Sequence, residues 1–156
     1  MEIKNLSVKE IKAYSNLARK VISSSSYYTE DARSEEIKKF SEESLQEKIK
    51  DESNFFVFIE DNGEVVAFFS GYFDAGTFWA SWLGVDFNYR NKGFGKRILI
   101  YVERELKRRG IHKVWFDTLV NNVEIINLVE MLGFKKVTRI NNHWYKQDFY
   151  LWEKFI

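Results

Sequence analysis

YRNKGFGKR, residues 89–97, joins two segments of different hydrophobic period. Before it, TFWASWLGVDF (77–87) is rich in aromatic and β-branched residues, the composition of a strand. After it, Phe94, Ile98, Leu99, Val102 and Leu106 recur at helical spacing, and Gly110 supplies a C-terminal stop. The loop therefore opens a helix. At such an end the first backbone N–H groups have no helical partner and the helix dipole is positive, so an anion is favoured. Gly93 and Gly95 remove the Cβ atoms that would hold a phosphate away from the backbone. Arg90, Lys92, Lys96 and Arg97 surround the loop with positive charge. Two familiar phosphate loops do not fit. A dinucleotide fingerprint needs a third glycine where Ile98 stands. A P-loop needs Ser or Thr where Arg97 follows Lys96. The plain alternative is a glycine turn carrying exposed basic side chains.

Composition narrows the partners. With 156 residues and 45% apolar content, the chain is expected to form one domain, 1–156, with a real core. Lys and Arg number 24 against 23 Asp and Glu. That balance predicts no bulk attraction to nucleic acid or to an acidic membrane, so any basic site is local. Cysteine is absent, which excludes disulfides and thiol nucleophiles. MEIKNLSVKE (1–10) has no apolar signal core, and no apolar run is long enough to span a bilayer. A cytoplasmic protein is expected. His112 and His143 are too few and too far apart in sequence to suggest a metal site.

The remaining elements extend outward from the loop. EIKNL (2–6) has the pattern of a first strand, and Ser7 with Glu10 forms a capping-box pattern before Ile11, Tyr14, Leu17, Ala18 and Val21. SSSSYY (23–28) breaks that helix. A polar helical region is expected from about Thr29 to Lys50, with a second capping-box pattern at Ser44 and Glu47. NFFVFIED (54–61) and EVVAFFSGYF (64–73) are strands joined by Asn62-Gly63, a strong hairpin signal. KVWFDTL (113–119) is a strand, and NVEIINLVEML (122–132) a helix closed by Gly133. FKKVTRI (134–140) and WYKQDFYLWEKF (144–155) are expected as a terminal hairpin around Asn141-Asn142. The order is β-α-α-β-β-β-α-β-α-β-β, a mixed α/β fold.

VDFNYRNKGFGKRILIYVERELKRRG (85–110) resembles motif A of the GNAT superfamily of acetyl-CoA-dependent N-acyltransferases. That motif has the form Arg/Gln-x-x-Gly-x-Gly/Ala, matched by Arg90, Gly93 and Gly95. Asn122 and Gly133-Phe134 match a second motif at the family's spacing. The resemblance spans essentially the whole chain. It implies a single mixed, mostly antiparallel sheet flanked by helices, and acetyl-CoA as cosubstrate without a metal. It implies that backbone amides across Asn91, Lys92, Gly93, Phe94, Gly95 and Lys96 hold the CoA pyrophosphate. Leu83 and Val85 would pair with the pantetheine arm like an added strand, on a strand splayed by a bulge that Gly84 eases. Asn122 would bond the pantetheine arm or hold its helix start.

The resemblance further implies direct attack of a primary amine on the thioester. Such an amine must lose a proton, and Asp117, which interrupts an apolar strand, is the expected base; Asp74, Glu60 and Asp86 are alternatives. Many members carry a tyrosine seven residues after the asparagine as general acid, but Val129 stands there. Tyr145, or Tyr101, is the expected substitute. Phe87 replaces a common proline. The acceptor is expected between SSSSYYTED (23–31) and NNHWYKQDFY (141–150), which carry aromatic and acidic residues suited to a cationic amine. A protein N-terminus, a lysine and a small-molecule amine all stay open, as does a homodimer. The alternative function is a catalytically weak acyl-CoA sensor.

Overall fold

NFFVFIED has no polar position to spare for a solvent face until its end. In the computed structural model, which describes residues 1–156, it forms a strand covered on both sides. The sheet has seven strands: β1 (Glu2–Asn5), β2 (Asn54–Asp61), β3 (Glu64–Asp74), β4 (Thr77–Val85), β5 (Lys113–Leu119), β6 (Lys135–Ile140) and β7 (Phe149–Phe155). Their spatial order is β1-β2-β3-β4-β5-β7-β6. Only β4 and β5 pair in parallel. The helices are α1 (Ile11–Ser23), α2 (Glu30–Lys38), α3 (Glu42–Lys48), α4 (Phe94–Arg108) and α5 (Val123–Met131). The mixed, mostly antiparallel architecture expected from the sequence is the one observed. No helix is long and apolar enough to cross a membrane.

Alternation along β2 and β3 divides the core between two faces. Phe56, Phe58 and Phe68 pack against Ile11, Tyr14, Leu17 and Ile22 of α1. Phe55, Val57, Ile59 and Phe69 pack against Ile98, Val102 and Leu106 of α4. Full burial of such side chains contributes about 1.5–3 kcal/mol each. Tyr14 is fully buried, and its hydroxyl donates to the Phe69 carbonyl at 2.8 Å, which satisfies the polar tip.

Three local expectations are corrected. The Thr29–Lys50 region is two helices. Thr29 caps α2 by accepting from Ala32 N–H at 3.2 Å, and Ser41 caps α3 by accepting from Ser44 N–H at 3.1 Å. The capping box at Ser44 and Glu47 is therefore not the one used. The break falls at Phe40, whose side chain turns into the core against Phe68 and whose carbonyl accepts from buried Ser15 at 2.6 Å. Ser7 and Glu10 bond side chain to side chain across a short 3-10 turn, and α1 starts only at Ile11. The terminal hairpin is not tight. Residues 141–148 form a long connection containing a 3-10 turn at Trp144–Lys146, and β7 begins only at Phe149. Positive φ at Tyr145 (54°) and Lys146 (59°) prevents a strand there.

Candidate active site

The cleft originates in the sheet. β4 and β5 pair only at Thr77↔Lys113, Phe78↔Val114 and Trp79↔Trp115, then part. A bulge lies just beyond: β3 pairs Ser70 with Trp82 and Gly71 with Ala80, leaving Ser81 as an extra residue in β4. Gly84 is not the glycine that accommodates it. Gly71 lies opposite the bulge, where a Cβ would collide with the Phe78 ring and the Trp79 carbonyl; a Cβ on Gly84 would collide with the Phe68 ring instead. Past the bulge, the β5-facing edge of β4 has no strand partner. A cleft of about 600 Å³ fills the gap, bounded by Leu83 and Val85, Asp117 and Leu119, the glycine loop and the Ser24–Tyr28 segment.

At the loop end, backbone does the work. Gly93 is the N-cap of α4, with φ 83°. The first α4 amide with a helical acceptor is that of Arg97, bonded to the Gly93 carbonyl at 3.0 Å. The N–H groups of Phe94, Gly95 and Lys96 belong to the unpaired first turn. A Cβ on Gly95 would stand 3.5 Å from Leu128, 3.8 Å from Val85 and 3.9 Å from Leu83, inside the cleft. A Cβ on Gly93 would meet nothing within 4 Å, so glycine there supplies left-handed backbone rather than space. Free amides, a positive helix end and a cradle that a side chain would fill suit a pyrophosphate.

The basic side chains mostly brace the loop. Arg90 Nε donates to the Val85 carbonyl at 3.3 Å, and Lys92 Nζ to the Asn88 carbonyl at 3.0 Å. The Phe94 side chain is buried in the core, leaving its amide to the loop. Of the residues expected to bind CoA, Lys92 alone does not line the cleft. Asn122 lines it while capping α5, its Oδ1 accepting from Ile125 N–H at 3.4 Å.

At the other end, side chains converge. Asp117 and Glu124 are the carboxylates lining the cleft. Burial raises the Asp117 pKa above the usual aspartate range, and the Trp144 indole N–H, 2.8 Å from Oδ2, offsets part of that shift. The alternative bases lie elsewhere. Glu60 pairs with Lys4 at 2.9 Å, Asp86 pairs with Lys20 at 2.6 Å, and Asp74 is exposed at the end of β3.

Neither Tyr145 nor Tyr101, the expected substitutes for the general acid, lines the cleft. The Tyr145 hydroxyl donates to Glu36 Oε1 at 2.8 Å, and burial with that carboxylate pushes its pKa well above the usual phenol range. Tyr101 packs against the α4 side of the core, with Arg104 over its ring at 5.5 Å. Val129 is 1% exposed and packs with Phe116 and Trp152.

Glu36, Tyr28 and Trp82 were not singled out from the sequence. Glu36 is buried and accepts from Trp82 Nε1 at 2.9 Å, Tyr145 at 2.8 Å and Lys39 at 2.6 Å. Burial alone would raise its pKa, but these bonds outweigh it and hold the carboxyl below its ordinary value. Tyr28 lines the cleft and leans on Trp82 at 5.3 Å. Burial, then Asp117 and Glu36, push its pKa upward and keep it protonated. Glu36 is one of four acids in α2, and nothing local marks it.

The family model described as Acetyltransferase (GNAT) family matches residues 22–134, which include the bulge, the glycine loop, Asp117 and Asn122. The chain belongs to the GNAT acetyltransferase family. Over 66 residues it is 32% identical to the ribosomal protein bS18-alanine N-acetyltransferase of Escherichia coli (strain K12). That match spans 42% of this chain and 45% of the relative, so the chain covers under half of that relative's length. The PaiA N-acetyltransferase from Thermoplasma acidophilum, solved in complex with coenzyme A, superimposes with a TM-score of 0.87 at 20% identity, over 99% of this chain and 98% of that one. An aminoglycoside 6'-acetyltransferase type Ii gives 0.78 at 20% identity, over 99% and 97%. These two likenesses describe the GNAT fold.

Proposed function

We propose that the protein is an N-acetyltransferase, working as one domain over 1–156, that moves an acetyl group from acetyl-CoA to a primary amine. The observation that carries this reading is the cleft itself. Unpaired α4 amides stand at one end, half-buried Asp117 at the other, and the open edge of β4 between them. In this reading the amides of Asn91–Lys96 hold the CoA pyrophosphate, and β4 at Leu83 and Val85 pairs with the pantetheine arm. Acetyl-CoA supplies the activated acetyl group. A β4 amide near Leu83 stabilises the negative charge that develops on the carbonyl oxygen. An alkylammonium has a pKa of about 10.4 and must be deprotonated, and Asp117 receives that proton directly or through water. The nitrogen lone pair forms the C–N bond, the C–S bond breaks, sulfur leaves as a thiolate, and the extra proton on the acylated nitrogen passes to that thiolate or to water. With a pKa of about 8.5 that thiolate needs no dedicated acid, which accords with Val129 and with Tyr145 outside the cleft. Relatives named for an alanine and for an aminoglycoside share amine chemistry.

The alternative of a catalytically weak acyl-CoA sensor does not account for a carboxylate placed in the cleft. Acetyl-CoA consumption with a panel of primary amines tests the proposal, and turnover with at least one is expected. CoA at 1 mM should stabilise the fold by about 2.7 kcal/mol if its Kd is ~10 μM. An unchanged melting temperature together with no turnover on any amine overturns the proposal.

A further inference from the structure

The fork in the sheet opens into a second space. Trp79↔Trp115 is the last β4–β5 pair, so Ala80 and Phe116 are the first residues past it. Both line the cleft, and both also line a smaller cavity between α4 and α5. Phe69, Leu99 and Val129 likewise line both spaces, so the two share an apolar wall. The cavity lies at the seam of two core clusters. One holds Phe69 and Val102, the other Phe116, Val129 and Trp152, and the small Ala80 side chain packs on both.

The chemistry of this cavity is hydrocarbon. Every lining residue except Glu103 is apolar. The Glu103 carboxylate is already paired, with Lys154 at 2.6 Å and with Lys107 at 2.8 Å. A buried water needs about two to four polar partners, which these walls do not offer, so an apolar group is the better occupant. About 30 Å³ is open to the centres of water-sized groups. One such group needs about 10–15 Å³, so about two fit, and a methylene is close to that size.

The direction of the cleft leads there. In the acetyltransferase reading, on which this inference rests, the cosubstrate starts at the α4 amides and follows β4 from Val85 to Leu83, toward the fork. An acyl chain continued along that line passes Leu83 and reaches Ala80, where the cavity begins.

We propose that the cavity receives the tail of the acyl group, so that straight-chain thioesters of about three or four carbons, propionyl- and butyryl-CoA, bind more tightly than acetyl-CoA. The test is calorimetric titration with CoA, acetyl-CoA, butyryl-CoA and octanoyl-CoA. It uses wild type, Val102→Leu and Val114→Leu; these two positions line the cavity but not the cleft. Burying one methylene is worth ~0.8 kcal/mol, about fourfold in affinity. Butyryl-CoA carries two more than acetyl-CoA, so wild type should bind it at least ~4-fold more tightly. Octanoyl-CoA exceeds the space and should bind more weakly than butyryl-CoA. Each leucine adds a methylene to the cavity and should bring the butyryl-to-acetyl ratio below ~4-fold. A wild-type gain under ~4-fold, or octanoyl-CoA binding tighter than butyryl-CoA, overturns the inference and leaves the acetyltransferase reading intact as long as CoA and acetyl-CoA bind. A ratio unmoved in the folded variants also overturns it. Should one variant not fold, the other decides, and should neither fold, the wild-type ranking decides alone. Absence of binding by CoA itself, with no turnover on any amine, overturns both readings together.

Discussion

The two ends of the cleft are made of different material. The glycine-loop end is a contiguous stretch, residues 90–97, and its chemistry is backbone: unpaired amides and two glycines. The opposite end is walled by the Ser24–Tyr28 segment and Asp117, which Glu36 and the 142–147 turn brace from behind, with partners as far as 120 positions apart. Its chemistry lies in side chains. The first end should therefore be broken by adding atoms, and the second by removing them.

The largest effect expected is at Gly95. A valine there puts branched carbons among Leu83, Val85 and Leu128, where the cosubstrate must pass. CoA affinity should fall by at least ~100-fold, about 2.7 kcal/mol. Arg90→Ala, which removes only a brace to Val85, should cost under about tenfold, or 1.4 kcal/mol. Gly93→Val should act mainly on stability, because its site is roomy but left-handed; the strain is about 1–2 kcal/mol. Calorimetric titration of folded variants checks the ranking. A Gly95→Val protein with wild-type CoA affinity dissolves the distinction between the two ends.

Next comes Asp117→Asn at the side-chain end. Removing the base should lower kcat by about 10²-fold while leaving CoA affinity alone. Burial raises the Asp117 pKa, so the acidic limb of the wild-type profile should lie above the ordinary aspartate value of 3.8. The active form is the carboxylate, so activity falls as pH drops through that raised value, and the variant should lose this limb. Full activity with an unchanged profile removes Asp117 as base and leaves Glu124, the other carboxylate lining the cleft, as the next to test.

The same contrast explains what could be read without coordinates. The glycine loop is legible because its meaning is local: a strand period, two glycines, then a helix period. The β2–β3 hairpin is legible for the same reason, since Asn62-Gly63 supplies the positive φ values the turn needs (50° and 81°). The place of β7 between β5 and β6 is not local, and no periodicity encodes it. The turn at 142–147 carries a strand-like sequence overruled by its tertiary bonds to Glu36, Asp117 and the 27–29 loop. Glu36 is buried because Trp82 and Tyr145 arrive from elsewhere to join the local partner Lys39, three residues on, in satisfying it.

A third test asks whether restoring an acid repairs anything. Val129 packs with Phe116 and Trp152 where it borders the cleft, so Val129→Tyr must displace those side chains or turn its ring into the cleft. It should destabilise the protein by about 1–3 kcal/mol and give no gain in kcat. Thermal melting and single-amine kinetics check both. A stable variant with higher turnover would mean that the cleft can receive the ring and that an acid was missing.

The smallest effect expected is at Tyr145. Its hydroxyl is bonded to Glu36, outside the cleft, so Tyr145→Phe should lower kcat by less than about tenfold, below the ~10²-fold loss typical of a general acid. Its effect should appear in stability instead. Glu36 has a folded pKa held below its ordinary 4.5, with Tyr145 among the donors responsible. A depressed folded pKa means that the stabilisation is present above pH 4.5 and is lost as pH falls through the folded value. Removing one donor from a buried carboxylate should cost about 1.5–3 kcal/mol near neutral pH. In acid, Glu36 is protonated in folded and unfolded chains alike, so the gap between wild type and variant should narrow. Melting temperatures of both proteins across this range decide the point. A gap that stays constant into acid would place the Tyr145 contribution in packing rather than in its bond to Glu36. A kcat loss of ~10²-fold or more with CoA affinity unchanged would put Tyr145 back among the catalytic groups.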